Sequence, residues 1–277
     1  MTQRTGAAGR VGRGATVAAA LLAVTAMVAG CGGDGPDGTP TQAAPSVSPP
    51  PSPKDTLLAA VPTEEDPAFR FSGSDLSGAV TGVVDPAGKA LELTVTEKDE
   101  ELDFTMKLTF RLIEQRSWMK VSFAGEQDLS TLLKLPKRWM ELDPTKIKDP
   151  AGVPSYEGAD PGNTGAIIQA AQTVTEAGGG KYTGTVDLTD DPNVAEALEG
   201  VDVPGLGDAA KQVPFTAAVG PDGNLASLTV NIPAAGKQKA TKYVVKYSNF
   251  GNTPQLTAPT GTQVQKAPAS AYEMLNG

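Results

Sequence analysis

The chain has no histidine and one cysteine in 277 residues. Without histidine there is no Ser-His-Asp or Cys-His relay, and no imidazole ligand for zinc. A lone cysteine, Cys31, leaves no intrachain disulfide and no thiolate cage, so the fold must stand on its apolar core. Aromatic residues are only 5% of the chain, a thin supply for a carbohydrate platform of stacked rings. Basic residues are also outnumbered, with 23 Lys and Arg against 32 Asp and Glu. Nucleic-acid affinity rests on Lys and Arg neutralising phosphates, so no nucleic-acid partner is expected of an acidic chain.

Motifs of catalysis are missing as well. There is no Gly-x-Ser-x-Gly and no Gly-rich phosphate loop. Nothing singles out two of the 32 carboxylates as a glycosidase pair. Asp190-Asp191 and Asp99-Glu100-Glu101 lack the spaced oxygen ligands of a calcium loop and read as capping and turn residues. The expectation is therefore no enzyme, no catalytic residue, no metal and no cofactor.

What is present begins at the N-terminus. Arg4, Arg10 and Arg13, with no acidic residue among them, precede an apolar run from Ala15 to Ala29. That run is shorter than the about 20 apolar residues a membrane-spanning helix needs. A basic start, a short apolar core and small residues at its end make a secretory signal peptide over residues 1–30. The end, Val28-Ala29-Gly30-Cys31, resembles the lipobox of bacterial lipoproteins. That resemblance implies cleavage before Cys31, acylation of its thiol and anchorage in the cell membrane on the extracytoplasmic face. The mature chain would carry 20 basic and 32 acidic residues, a formal charge of −12. Gly32 to Lys54 is almost all Gly, Pro, Ser, Thr, Ala and Asp, cannot bury a core, and reads with Cys31 as a disordered tether over 31–54. As a flexible coil it would span roughly 26 Å.

Residues 55–277 have the length of one domain. From Leu102 to Leu112 the apolar residues Leu102, Phe104, Met106, Leu108, Phe110 and Leu112 alternate with polar ones without a break. A period of two over that length predicts an antiparallel strand with one dry face. Leu91, Leu93 and Val95, and Met119, Val121 and Phe123, repeat the pattern between turn signals such as Asp85-Pro86-Ala87-Gly88. Phe69–Leu76 and Ala79–Val84 read as two more strands, and Lys137–Leu142 as another. In the second half, strands are expected around Tyr182–Leu188, Val213–Val219, Leu228–Ile232 and Tyr243–Tyr247, with Pro221-Asp222-Gly223-Asn224 as a hairpin turn. Helices are expected over Asp128–Leu135, over Asn193–Leu198 after an Asp191 cap, and over Ala269–Leu275. The longest runs from Asn163, capped by Asn163 or Thr164, to Glu176. Its face carries Ile167, Ile168, Ala171 and Val174, and Gly178-Gly179-Gly180 ends it.

About ten strands with dry faces and few helices make an α+β fold. A sheet of that size twists and curls, and its dry face must be covered. Helices over a curved sheet can close a packed core or leave an apolar hollow, which is the usual form of a ligand site. Alternation fits both.

Three further stretches carry a family resemblance: Ile113-Glu-Gln-Arg-Ser-Trp-Met-Lys-Val-Ser122, Arg138-Trp-Met-Glu-Leu-Asp143 and Lys242-Tyr-Val-Val-Lys-Tyr-Ser-Asn-Phe-Gly-Asn-Thr-Pro254. With the lipobox and tether, they resemble the LppX/LprAFG family of actinobacterial lipoproteins, whose fold is related to the LolA and LolB carriers. The resemblance covers the mature domain, and its motifs are structural. It implies a single strongly curved antiparallel sheet, a half-barrel, with a few helices on its concave face. It also implies a lipid, glycolipid or other apolar molecule carried between sheet and helices. The chain departs from the family in its abundant Gly, Pro and Ala, which argue for a small cavity or none. The strand residues Phe104, Met106, Leu108 and Phe110 and the helix residues Ile167, Ile168, Ala171 and Val174 would line the cavity. Trp118 and Trp139 read first as packing anchors. The alternative function is an anchored cell-envelope interaction or structural protein that has a filled core and no ligand.

Overall fold

The computed structural model describes residues 49–277 except 75–77, 100–103, 126–131, 150–152, 191–193, 195–196, 199 and 237. The expected leader, Cys31 and the expected tether up to residue 48 lie outside the described residues, as do Leu102 and half of each helix expected over Asp128–Leu135 and Asn193–Leu198.

Alternating sequence becomes strand throughout. The first meander is β1 (Phe69–Ser74), β2 (Ala79–Asp85), β3 (Ala90–Asp99), β4 (Phe104–Ile113), β5 (Arg116–Gly125) and β6 (Trp139–Glu141). The second is β7 (Ala171–Gly178), β8 (Lys181–Val186), β9 (Val213–Val219), β10 (Leu225–Ile232) and β11 (Thr241–Ser248), followed by β12 (Val264–Lys266). All twelve belong to one sheet, in the order β12-β6-β5-β4-β3-β2-β1-β11-β10-β9-β8-β7. The meanders join where β1 pairs with β11, Phe71 opposite Tyr247. Every pair is antiparallel but one: β12 runs parallel to β6, with Val264 opposite Trp139. The all-antiparallel expectation is corrected at that edge, because β12 returns from a long connection and not from a hairpin.

Register aligns the apolar residues in rows. Met140, Met119, Phe110, Leu93, Gly82, Phe71 and Tyr247 face one another in turn from β6 to β11. Val245, Leu228, Ala217 and Tyr182 continue on the same face to β8. This inner face holds most of the core. Two turns show how the register is held. Asp85 is 2% exposed, and its carboxylate accepts the Gly88 N–H at 3.4 Å and the Leu256 N–H at 3.0 Å. Glu114, in the two-residue turn between β4 and β5, takes the left-handed conformation at φ 54°.

Among the described residues four α-helices accompany the sheet: α1 (Pro53–Ala59), α2 (Thr164–Gln169), α3 (Val203–Leu206) and α4 (Ala269–Leu275). The fold is α+β. Helix α4 has the bounds read from the sequence. No helix is expected at α1, whose first residues, Pro53 and Lys54, fall in the expected tether. Ser52 caps α1 in a reciprocal capping box with Asp55, and Pro53 stands in its first turn.

The largest correction concerns residues 163–176. The expected helix stops at Gln169, and Ala171 opens β7. Gln172 to Glu176 contains three consecutive β-branched residues, and these settle into a strand once β8 offers a partner. Thr173 and Thr185 share a hydroxyl hydrogen bond of 2.9 Å across that pair. The capping is also different. Asn163 is left-handed at φ 46° and makes no side-chain cap. Asp160 does the work instead, accepting from the Gly165 N–H at 2.8 Å and from the Thr164 hydroxyl at 3.0 Å. At the other end the Lys54 ammonium donates to the Gln169 carbonyl at 2.6 Å and to the Ala171 carbonyl at 3.0 Å.

Candidate functional site

The inner face changes character along β4. Phe110 and Leu112 are buried, whereas Phe104, Met106 and Leu108 are half-buried. The row holding Leu108 runs Val80, Val95, Leu108, Val121 across β2 to β5. Val80 and Val95 are half-buried like Leu108. One step on, Met106 faces Glu97 and Phe123, and the rings of Phe104 and Phe123 lie 6.3 Å apart. Strand alternation puts all these side chains on the dry face, but no helix or loop among the described residues closes over them fully. The result is a half-open apolar surface bounded by the ends of β3 and β4.

The other four expected lining residues lie elsewhere. Ile167 and Ile168 are on α2 at 0% exposure, packed with Leu57 of α1 in the core. Ala171 is buried on β7 opposite Val186, and Val174 is half-buried on β7 opposite Gly184. These are strand positions, so the helical wall assigned to Ala171 and Val174 does not exist. Seven strands separate β4 from β7 in the sheet order.

Between the half-open surface and α2, the loop before α2 crosses β11. Tyr243 donates its hydroxyl proton to the Gly162 carbonyl at 2.7 Å, and Tyr247 donates to Asp160. Burial pushes the Tyr247 hydroxyl well above the usual phenol pKa, and the adjacent Asp160 carboxylate adds to the rise. Burial and the Glu64 carboxylate, 2.9 Å away, raise Tyr156 in the same loop. The loop leaves a hollow of about 90 Å³ against Phe71, Val80, Tyr243 and Val245. That is well below the about 300–1,000 Å³ of small-molecule sites. Sequence reasoning passed over Asp160 and Tyr247. Asp160 sits in a Pro, Asp and Gly-rich stretch, and nothing local shows that a strand tyrosine will reach it.

Both tryptophans are on the opposite face of the sheet. Trp118 is fully buried under Arg116, whose guanidinium lies 4.6 Å from the ring centroid and 2.6 Å from Glu141. Arg111 covers Trp139 at 4.7 Å and is paired with Glu92. Among the described residues no group of three His, Cys, Asp or Glu side chains gathers as a metal site, and no helix is long and apolar enough to cross a membrane.

Compared with known proteins, the chain matches no family model and no curated protein.

Proposed function

We propose that the chain is a membrane-anchored lipoprotein of the extracytoplasmic face, of the LppX/LprAFG kind, that binds a lipid, glycolipid or other apolar molecule. Anchorage through acylated Cys31 rests on the lipobox, and two acyl chains suffice for a stable hold. The twelve-stranded sheet is read as a half-barrel, because an open sheet of that size with one dry face curls. The observation that carries the binding role is the half-buried apolar strip of Val80, Val95, Met106, Leu108 and Phe123 on an otherwise closed core. The ligand lies along this strip and not against α2. No catalysis is assigned.

A second reading, an anchored interaction protein with a filled core, draws on the closure of Ile167 and Ile168 and on the 90 Å³ hollow. One experiment separates the two. A soluble form beginning at Pro49 is purified, and its bound lipid is extracted and weighed by mass spectrometry, alone and as Leu108→Glu. The carrier yields lipid, and the variant loses it while remaining folded. A parent protein that yields none leaves the filled-core reading. Fatty-acid labelling of the full chain and of Cys31→Ala tests the anchor separately.

A further inference from the structure

Residues 134–148 are a basic exception in an acidic chain, with Lys134, Lys137, Arg138, Lys146 and Lys148 against Glu141 and Asp143. The fold brings the end of this stretch against α4, where an open cleft of about 730 Å³ lies between Lys146 and Lys148 on one side and Tyr272, Glu273 and Asn276 on the other. Its walls are tied together. Asn276 accepts the Lys148 N–H at 2.8 Å and donates to the Lys146 carbonyl at 3.1 Å. The Lys146 ammonium stands 5.4 Å from the Tyr272 ring centroid.

The donors of the cleft are unspent. Neither Lys146 nor Lys148 is in an ion pair among the described residues. The nearby Asp143 carboxylate is engaged with Thr145, accepting from its N–H at 3.1 Å and its hydroxyl at 2.7 Å. Tyr272 is 8% exposed, and its oxygen accepts the Asp143 N–H at 2.8 Å. The proton of that hydroxyl has no acceptor among the described residues. Lys146 and Lys148 line a space that holds one acidic side chain, Glu273. An anion with several oxygens would accept from both lysines together.

We infer that this cleft binds a phosphate ester, carried by a lipid headgroup or by a free small molecule. The site is separate from the apolar strip on β2 to β5 and does not depend on it. The test uses the soluble form beginning at Pro49. Glycerol 3-phosphate is titrated while the amide signals of Lys146, Lys148, Tyr272 and Asn276 are followed by NMR. In parallel, the protein is floated with vesicles of phosphatidylcholine alone and of equal parts phosphatidylcholine and phosphatidylglycerol.

Localised shifts with the free ester support the free source, and flotation only with phosphatidylglycerol supports the headgroup. In either arm the Lys146→Gln, Lys148→Gln double variant should bind about tenfold more weakly, as expected when charge-assisted bonds are lost. Lys211→Gln, a paired and exposed lysine outside the cleft, should bind as the parent does. Thermal midpoints check that each variant is folded. No response in either arm overturns the inference, as does equal binding by parent and double variant or an equal loss in Lys211→Gln.

Discussion

The ring of Phe215 on β9 lies over Gly184, its partner on β8: a Cβ placed on Gly184 would stand 2.6 Å from the ring. Phe71 on β1 lies over Gly82 on β2 in the same way, with 2.3 Å left for a Cβ. Glycine weakens a strand, and an aromatic ring laid across it restores cover. Each half of the sheet uses the device once, on the inner face.

Gly184→Ala and Gly82→Ala should therefore each destabilise by about 1–3 kcal/mol or more, through overpacking against ring and neighbouring backbone. Thr216→Ala, exposed on β9, should stay within about 0.5 kcal/mol. Urea unfolding of the three variants checks this, and equal losses would contradict the register.

On β4, Phe110 is 3% exposed in the row between Leu93 and Met119. Phe110→Ala should cost about 3–5 kcal/mol, the range for an emptied aromatic site. Lys107 faces outward and is exposed. Lys107→Ala should stay within about 0.5 kcal/mol. Denaturation midpoints measure both.

Tyr247→Phe removes one donor to Asp160 and should cost about 1–3 kcal/mol near neutral pH. The gap should narrow in alkali. Below about pH 10 the hydroxyl is protonated in folded and unfolded chains alike. Above that pH the unfolded chain releases the proton, and buried Tyr247 keeps it because its pKa is raised. The unfolded state then binds fewer protons, so the parent loses up to about 1.4 kcal/mol per pH unit from this group, and the variant loses none of it. Tyr156 contributes the same way in both proteins and cancels. Unfolding curves at neutral pH and above pH 10 give the difference, and a constant gap would rule the explanation out.

Lys54 joins the first helix to the end of α2. Lys54→Met keeps the apolar stem and removes both carbonyl bonds, so a loss of about 1–3 kcal/mol is expected. A soluble form starting at Asp55 loses the Ser52 cap as well, worth about 0.5–2 kcal/mol. It should melt below a form starting at Pro49, as calorimetry would show.

How far the sequence reached is visible at single residues. Phe104, Met106, Leu108 and Phe110 were placed on one dry face by alternation alone, and they share it. Their unequal burial was not legible, because cover comes from whatever packs above a strand. Ala171 and Val174 fit a helical period, yet the β-branched run beside them answered to β8. For Ile167 and Ile168 the period was right, and full packing took the place of a cavity wall.

The sequence by itself determined the local grammar: period-two runs for ten strands, the turns between hairpin partners, and helix α4. Those signals depend on a residue and its near neighbours. Tertiary structure alone decided that β1 pairs with β11, that β12 joins β6 in parallel, that Asp160 holds Tyr247, and that Lys146 stands over Tyr272. Each of these joins residues scores of positions apart. Such contacts form only when the whole dry face is buried at once, and no local period encodes them.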